Sequence, residues 1–473
     1  MRKKKKIIFI LILLLIIGTG IGYAKIESIN GNWGFISIRR NRSYQDLMPY
    51  TEDTGYYTSE IMAKVKRIII NDDIGDDFTL PDNIQGEVMN VAADGTDSIR
   101  AYLVPNADDS TKSDMYIIAN GFINLPTDSS NLFANFTNLE EFVNPSRLIA
   151  DKVTNMNSIF KGTKISNLNL AAWDVSKVTD FASAFEDVDM VELNIVTWKF
   201  NAATDASNMF KNAFVSNLSI GTMEFDGAVN LTSMFEGANT TSIDSKIVAK
   251  EKLTGTSMFK GMKITTLKLD NSEILGNEST IEDFALNSEI VNFSGDNWNI
   301  PGISSLANTF KNSTKLETLS MKNLKLADSD DYDLSSMFEG CSVLTSANLS
   351  GLNGNTKVNM TKMFMGTSVL STLDLSEITG IKVLNLNSFV KNSSTINEID
   401  LTSLDLSECT DYHDAFVGCE YLLTVRVNNT YTEPTPTEED SYIFKEVGTT
   451  IVTVTGEEPS SGEPEQPEEP TEP

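Results

Sequence analysis

The chain has 473 residues, with 66 acidic against 37 basic side chains and a net charge of −29. So acidic a surface repels nucleic acid and anionic lipid, and suits a molecule that stays soluble and extended. Three cysteines, Cys341, Cys409 and Cys419, give no paired disulfide framework, so packing has to hold the fold together.

The chain opens on a basic cluster, Met1 to Lys6, followed by an unbroken apolar run from Ile7 to Ile17. Gly22 and Ala24 then supply small residues at −3 and −1 of a cleavage site before Lys25. This order predicts a secretory signal peptide over 1–24. An uncleaved anchor from Ile7 to Ala24 is the alternative, and is the one membrane contact expected. Either way the rest is placed outside, secreted or on the cell surface, because the lysines stay cytoplasmic. No cysteine lies near the cut, which argues against an N-terminal lipoprotein.

Residues 25–111 carry no repeat. Gly34–Arg39, Val65–Ile70 and Ser98–Val104 alternate apolar and polar residues and read as strands. They predict a β-rich cap over the first rung of a ladder that Met115–Ala119 begins. A separate binding domain, or a hydrolase, is the other use such a region could have.

From 112 to 428 a phenylalanine recurs, at Phe133, 160, 185, 210, 235, 259, 284, 310, 338, 364, 389 and 416. The spacings run from 24 to 28 residues and the anchors are half of the chain's 24 phenylalanines, so the period is not chance. Each anchor sits in the same phrase, as in Ser257-Met-Phe-Lys-Gly-Met-Lys-Ile-Thr-Thr-Leu-Lys-Leu269. After it come apolar residues spaced L-x-x-L-x-L, such as Ile165, Leu168 and Leu170, whose last pair has the period of a strand. Two residues after the anchor stands Gly, Asn or Asp in ten of twelve copies, types that accept positive φ. The copies at Phe284 and Phe389 carry Asn287 and Asn392 one position late. Before the anchor, stretches such as Val178-Thr-Asp180 can cap a short helical turn.

Each copy therefore reads as cap, short helical turn, tight turn, strand and return loop. One copy cannot bury enough apolar surface to fold alone, so neighbours must stack. The expected fold is an α/β repeat solenoid. It would be a leucine-rich-repeat-like right-handed coil with a parallel ladder of about twelve short strands, capped by β structure at both ends.

The S-M-F-x-G…L-x-x-L-x-L phrase, with Trp173 in Leu170-Ala-Ala-Trp-Asp-Val and Trp198 one repeat later, resembles the BspA-like leucine-rich-repeat surface proteins. That repeat is shared by lipoproteins and wall proteins of mycoplasmas and low-GC Gram-positive bacteria. The resemblance covers about residues 112–428. It implies an adhesin with a host or neighbouring-cell protein as partner.

Leu423–Val427 reads as the last strand, and Tyr442–Phe444 with Thr449–Thr455 as a closing cap within 429–456. From Glu457 to Pro473 stand seven Glu, five Pro and no basic residue, the composition of an extended spacer. No L-P-x-T-G sorting signal follows it here, so covalent wall attachment is not expected from this chain.

Chemistry-bearing motifs are few. His413, the single histidine, makes C-x₃-H-x₅-C with Cys409 and Cys419, but Cys419 occupies the same slot after its anchor as Cys341. A repeat position is the expected reading, with no metal and no other cofactor. Asp328-Ser-Asp-Asp-Tyr-Asp333 puts four carboxylates into the longest spacing and reads as a solvated loop rather than a calcium site. What remains is the outward face of the strands. Its candidate ligand-binding side chains are Asn167 and Asn169, Glu192 and Asn194, Thr372 and Asp374, and Glu398 and Asp400. The function expected is a monomeric adhesion or protein-binding module, not an enzyme. A structural spacer of the cell envelope without a ligand is the alternative, and a hydrolase in 25–111 the third.

Overall fold

A computed structural model of the chain describes residues 43–52, 57–74, 78–431 and 450–454. The leader over 1–24, the strands expected at Gly34–Arg39 and Tyr442–Phe444, and the spacer 457–473 lie outside these residues. The chain divides into two compact units, Met1–Thr266 and Leu267–Pro473. Each is a parallel β-solenoid, and between them they carry about twelve turns with almost no helix.

The helical half of the expected α/β repeat is replaced by turns. Among the described residues helix is confined to Ser59–Lys64, the 3₁₀ residue Tyr57 just before it, and the 3₁₀ turn Pro145–Arg147. The reason lies in two left-handed residues that bracket each anchor. Ser158 (φ 55°) and Gly162 (66°) flank Phe160; Asn208 (56°) and Asn212 (54°) flank Phe210; Asn308 and Asn312 (both 58°) flank Phe310. A right-handed helix cannot pass through such residues. The backbone hydrogen bonds split accordingly. Ile159, Lys161 and Thr163 donate to Met156, Ser158 and Phe160 and close successive turns. The alternate residues Ser158, Phe160 and Gly162 donate at 2.9 Å to Ala182, Ala184 and Glu186 of the next coil.

The same pattern explains the two late asparagines. Ala285 N–H donates to Thr309 O, and Val390 N–H to Ala415 O, the bond that the anchor phenylalanine makes in other turns. Ala285 and Val390 therefore hold the anchor slot, and Phe284 and Phe389 enter the core from one residue earlier. Their rings meet the neighbouring anchors edge-on, at 74° to Phe310 and 89° to Phe364. In the first unit Phe160, Phe185, Phe210, Phe235 and Phe259 stack face to face, with centroids 4.9 to 5.6 Å apart.

Lateral pairs lock one coil to the next. One residue after the anchor, Lys161 pairs with Glu186 (2.7 Å), Lys211 with Glu236 (3.1 Å) and Lys311 with Glu339 (3.0 Å). Three residues after it, a small buried donor reaches the anchor carbonyl of the preceding coil. Thr163 Oγ1 donates to Phe133 O, Ser313 Oγ to Ala285 O, and Cys341 Sγ to Phe310 O. The indole N–H of Trp173 and Trp198 likewise donates to Pro145 O and Leu170 O of the coil before.

In the first unit the strands Lys164–Asn169, Asp189–Ile195, Phe214–Ile220 and Asn239–Asp244 pair in parallel, one per coil. The parallel ladder begins at Ser113–Ala119, as its sequence suggests, but its second rung comes from earlier in the chain. Val65–Asn71 lies between Ser113–Ala119 and Glu141–Val143, parallel to both. Ile99–Pro105 and Gln85–Asn90 then extend the sheet antiparallel. Ion pairs fix this arrangement: buried Asp114 accepts from Arg67 and from Asn106 Nδ2 (2.6 Å), and buried Asp72 pairs with Arg147.

In the second unit Glu289–Ser294, Thr318–Ser320, Ser346–Asn348 and Thr372–Asp374 form the corresponding ladder. Glu398–Asp400, Thr424–Asn428 and Thr450–Val454 form another. A further sheet joins Ser329–Asp333, Asn353–Asn359 and Thr379–Asn385. The acidic stretch expected as a solvated loop is thus a strand, with Tyr332 pointed into the core and fully buried. The tyrosine supplies the inward side chain that a loop would lack.

Candidate interaction surface

The outward side of the first-unit ladder is built from register-matched rows. Asn167, Glu192 and Asn217 form one row; Asn169, Asn194 and Ser219 form the next. The two rows do different work. Asn169 Oδ1 accepts from Ala171 N–H (3.1 Å) and Asn194 Oδ1 from Val196 N–H (3.2 Å), closing the turn that leaves the strand. Asp374 and Asp400 do the same for Ser376 N–H (3.0 Å) and Thr402 N–H (2.9 Å) in the second unit. An Asx turn of this kind is a structural use of the side chain. Asn167, Glu192 and Thr372 are exposed on their strands, and Glu398 is exposed and paired with Arg426. The candidate pairs Thr372–Asp374 and Glu398–Asp400, on successive copies of the repeat, belong to two different ladders.

The face also carries an apolar spot that the sequence reading missed. Phe214 is 44% and Val191 53% exposed, on neighbouring strands. At the register position of Phe214 the adjoining coils have Lys164, Asp189 and Asn239. A phenylalanine among polar equivalents was therefore visible in the sequence once the strand register was known. Burying such a ring against a partner is the strongest contribution this face can make to binding.

The C-x₃-H-x₅-C motif is distributed over repeat positions. Cys419 Sγ donates to Val390 O at 3.1 Å, as Cys341 Sγ does to Phe310 O, so both fill the small-donor slot. Cys409 Sγ is directed at Asp411 O (3.8 Å), and His413 Nδ1 lies 3.7 Å from Asp414 Oδ1. Burial pushes the Cys341 thiol up to about 12 and those of Cys409 and Cys419 to about 11, which keeps them protonated and unreactive. Among the described residues no group of three or more His, Cys, Asp or Glu is set to hold a metal.

The region proposed for a hydrolase has a groove of about 610 Å³ between Ser59–Lys64 and Gln85–Asn90. Several of its polar groups are engaged within the protein. Lys64 pairs with Glu60 (2.5 Å), Ser113 Oγ donates to Gln85 Oε1 (2.7 Å), and Lys112 Nζ donates to Ala63 O (3.3 Å). No helix among the described residues is long and apolar enough to cross a membrane.

No curated protein and no solved structure matches the chain. A family model described as "Mycoplasma protein of unknown function, DUF285" matches residues 127–247, 280–370 and 304–428, which is the repeat region found above. These matches cover more than half of the sequence, and the chain belongs to this family of repeat proteins.

Proposed function

We propose that the chain is an exported, surface-displayed module that binds a protein of a host or neighbouring cell through the outward face of its L-x-x-L strands. The single observation that supports this is the exposure of Phe214 and Val191 on neighbouring strands, with Asp189 and Asn239 in register with Phe214 and Glu192 next to Val191. An aromatic anchor ringed by hydrogen-bonding side chains is the usual composition of a binding hot spot. The repeat phrase supports kinship with BspA-like leucine-rich-repeat adhesins, and the basic and apolar leader supports export. On this reading the chain is a monomeric binding protein rather than an enzyme, and works without a cofactor.

The test is binding of the purified chain to immobilised extracellular-matrix proteins, with wild type compared against the Phe214→Ser, Val191→Ser double variant. The expected result is saturable binding that the double variant loses at unchanged melting temperature. Saturable binding that the variant retains would move the site off this face. No saturable binding to any matrix protein would leave the spacer role.

A further inference from the structure

Each strand of the first-unit ladder has two outward residues between its first two apolar positions. In most coils they are small and uncharged: Ser166-Asn167, Ser216-Asn217, Thr241-Ser242 and Thr265-Thr266. Two coils depart from this. One carries Glu140 and Glu141, the other Val191 and Glu192, and Phe214 breaks the polar pattern on the strand beside Val191. The departures fall together on one stretch of the face.

Glu141, Asn167 and Glu192 are register partners on three successive strands, so the amide stands between the two carboxylates. All three side chains are exposed, and none makes a side-chain hydrogen bond or an ion pair among the described residues. The neighbouring cations are spent elsewhere. Arg67, the register partner of Glu141 on its other side, gives Nε and an Nη to Asp114. Lys66 pairs with Glu140 (3.4 Å) and Lys164 with Asp189 (3.5 Å).

Two carboxylates left without a cation, with an amide between them, favour a positive ligand group. Strands stand about 4.8 Å apart, so Glu141 and Glu192 reach a charge seated over Asn167 from either side. Val191 and Phe214 decide what that charge is attached to. A bare cation would leave both apolar side chains in water, and a second copy of this chain would bring a net charge of −29 against the glutamates. A protein segment with an apolar side chain beside a lysine or arginine satisfies both features.

We propose that the strand face takes a basic segment of its partner, with a lysine or arginine over Asn167 between Glu141 and Glu192 and a neighbouring apolar side chain against Val191 and Phe214. This rests on the strand-face reading above and adds to it the charge of the partner.

Saturation-transfer NMR on the whole chain with the peptide Ser-Leu-Ser-Lys-Ser-Leu-Ser tests this, because alternate residues of an extended peptide share one face. The peptide gives a signal at its leucine methyls and lysine methylenes, and its counterpart with glutamate for lysine gives none. Glu141→Gln with Glu192→Gln weakens binding about fivefold, the scale of two exposed ion pairs. Glu377→Gln with Glu420→Gln, the same change of charge at exposed positions of the second unit, leaves binding as it was. The Phe214→Ser, Val191→Ser variant separates this inference from the reading beneath it. If that variant loses matrix-protein binding while the lysine and glutamate peptides bind alike, the strand face stands and the basic partner is overturned. Equal losses in the two glutamine variants, no loss in either, or no signal from the lysine peptide overturn it as well.

Discussion

The side-chain oxygen of Asn212 lies 2.7 Å from where a β-carbon on Gly237 would stand, one coil further on. Both residues hold the left-handed position two after their anchors, with φ of 54° and 67°. The Asn212 amide nitrogen donates back to Asp187 Oδ1 (3.2 Å), so the side chain is held in place over the glycine. The same pairing recurs as Asn135 over Gly162, Asn312 over Gly340 and Asn392 over Gly418. In these four pairs the asparagine of one coil lies over a glycine of the next, whereas Asn287 is followed by Asn312. Gly237→Ala is expected to cost about 2–3 kcal/mol, from left-handed strain plus the clash. In an Asn212→Gly background the cost should fall to the strain alone, about 1 kcal/mol. Equal costs in the two backgrounds, measured by urea melts, would show that the asparagine gives way freely.

Phe235 stacks on Phe210 at 4.9 Å and on Phe259 at 5.1 Å and is 1% exposed. Phe235→Ala should cost about 3–5 kcal/mol as a truncation in a close-packed column. Because each coil touches mainly its neighbours, the loss should loosen the adjacent coils first. Hydrogen exchange at Phe210 and Phe259 N–H should rise before exchange at Phe133 N–H. A uniform rise would mean that the unit unfolds all at once.

Acid should weaken the lateral ladder. Burial opposes ionisation of Glu186, Glu236 and Glu339, but hydrogen bonds from Ser183, Ser233 and Ser336 and from Lys161, Lys211 and Lys311, with the lysine charges, outweigh it and hold all three carboxyls below their ordinary value of 4.5. A depressed folded-state pKa means that the stabilisation is complete above the unfolded value. It is lost as the pH falls below 4.5 and through the folded values. Glu236→Gln should therefore lower the melting temperature at pH 7 and make little difference at pH 3. A pH-independent difference would point to packing rather than charge.

The hydroxyl of Tyr332 is buried and has no hydrogen-bond partner, and burial raises its pKa far above the ordinary 10. An unsatisfied buried hydroxyl costs on the order of 1 kcal/mol or more, while the ring packs equally well without it. Tyr332→Phe should be neutral or stabilising by up to about 1 kcal/mol in a thermal melt. Destabilisation would reveal a partner for the hydroxyl.

Much of this molecule was legible in one dimension. The period of the anchors, the apolar L-x-x-L positions and the Gly/Asn/Asp residue two after each anchor are properties of a single repeat, and they located the coils, their buried side chains and their tight turns. The slot shared by Cys341 and Cys419 was readable in the same way. The single repeat misled where its groups bond outside it. Ser158, Phe160 and Gly162 look like part of a helical turn until their N–H groups find acceptors on Ala182, Ala184 and Glu186. The late asparagines at 287 and 392 gave notice of a shift, but the bonds of Ala285 and Val390 decided which residue had moved into the anchor slot.

The candidate surface divides along the same line. That Asn167 and Glu192 point outward follows from the two-residue period of a strand. That Asn169, Asn194, Asp374 and Asp400 close turns depends on where the chain bends after the strand. The placing of Val65–Asn71 inside the ladder, the exposure of Phe214 beside Val191, and the meeting of Glu141, Asn167 and Glu192 were decided by tertiary structure alone. A sequence pattern reports the side of the chain a residue occupies, whereas these contacts join residues 23 or more positions apart. Their register is set by the lengths of the coils between them.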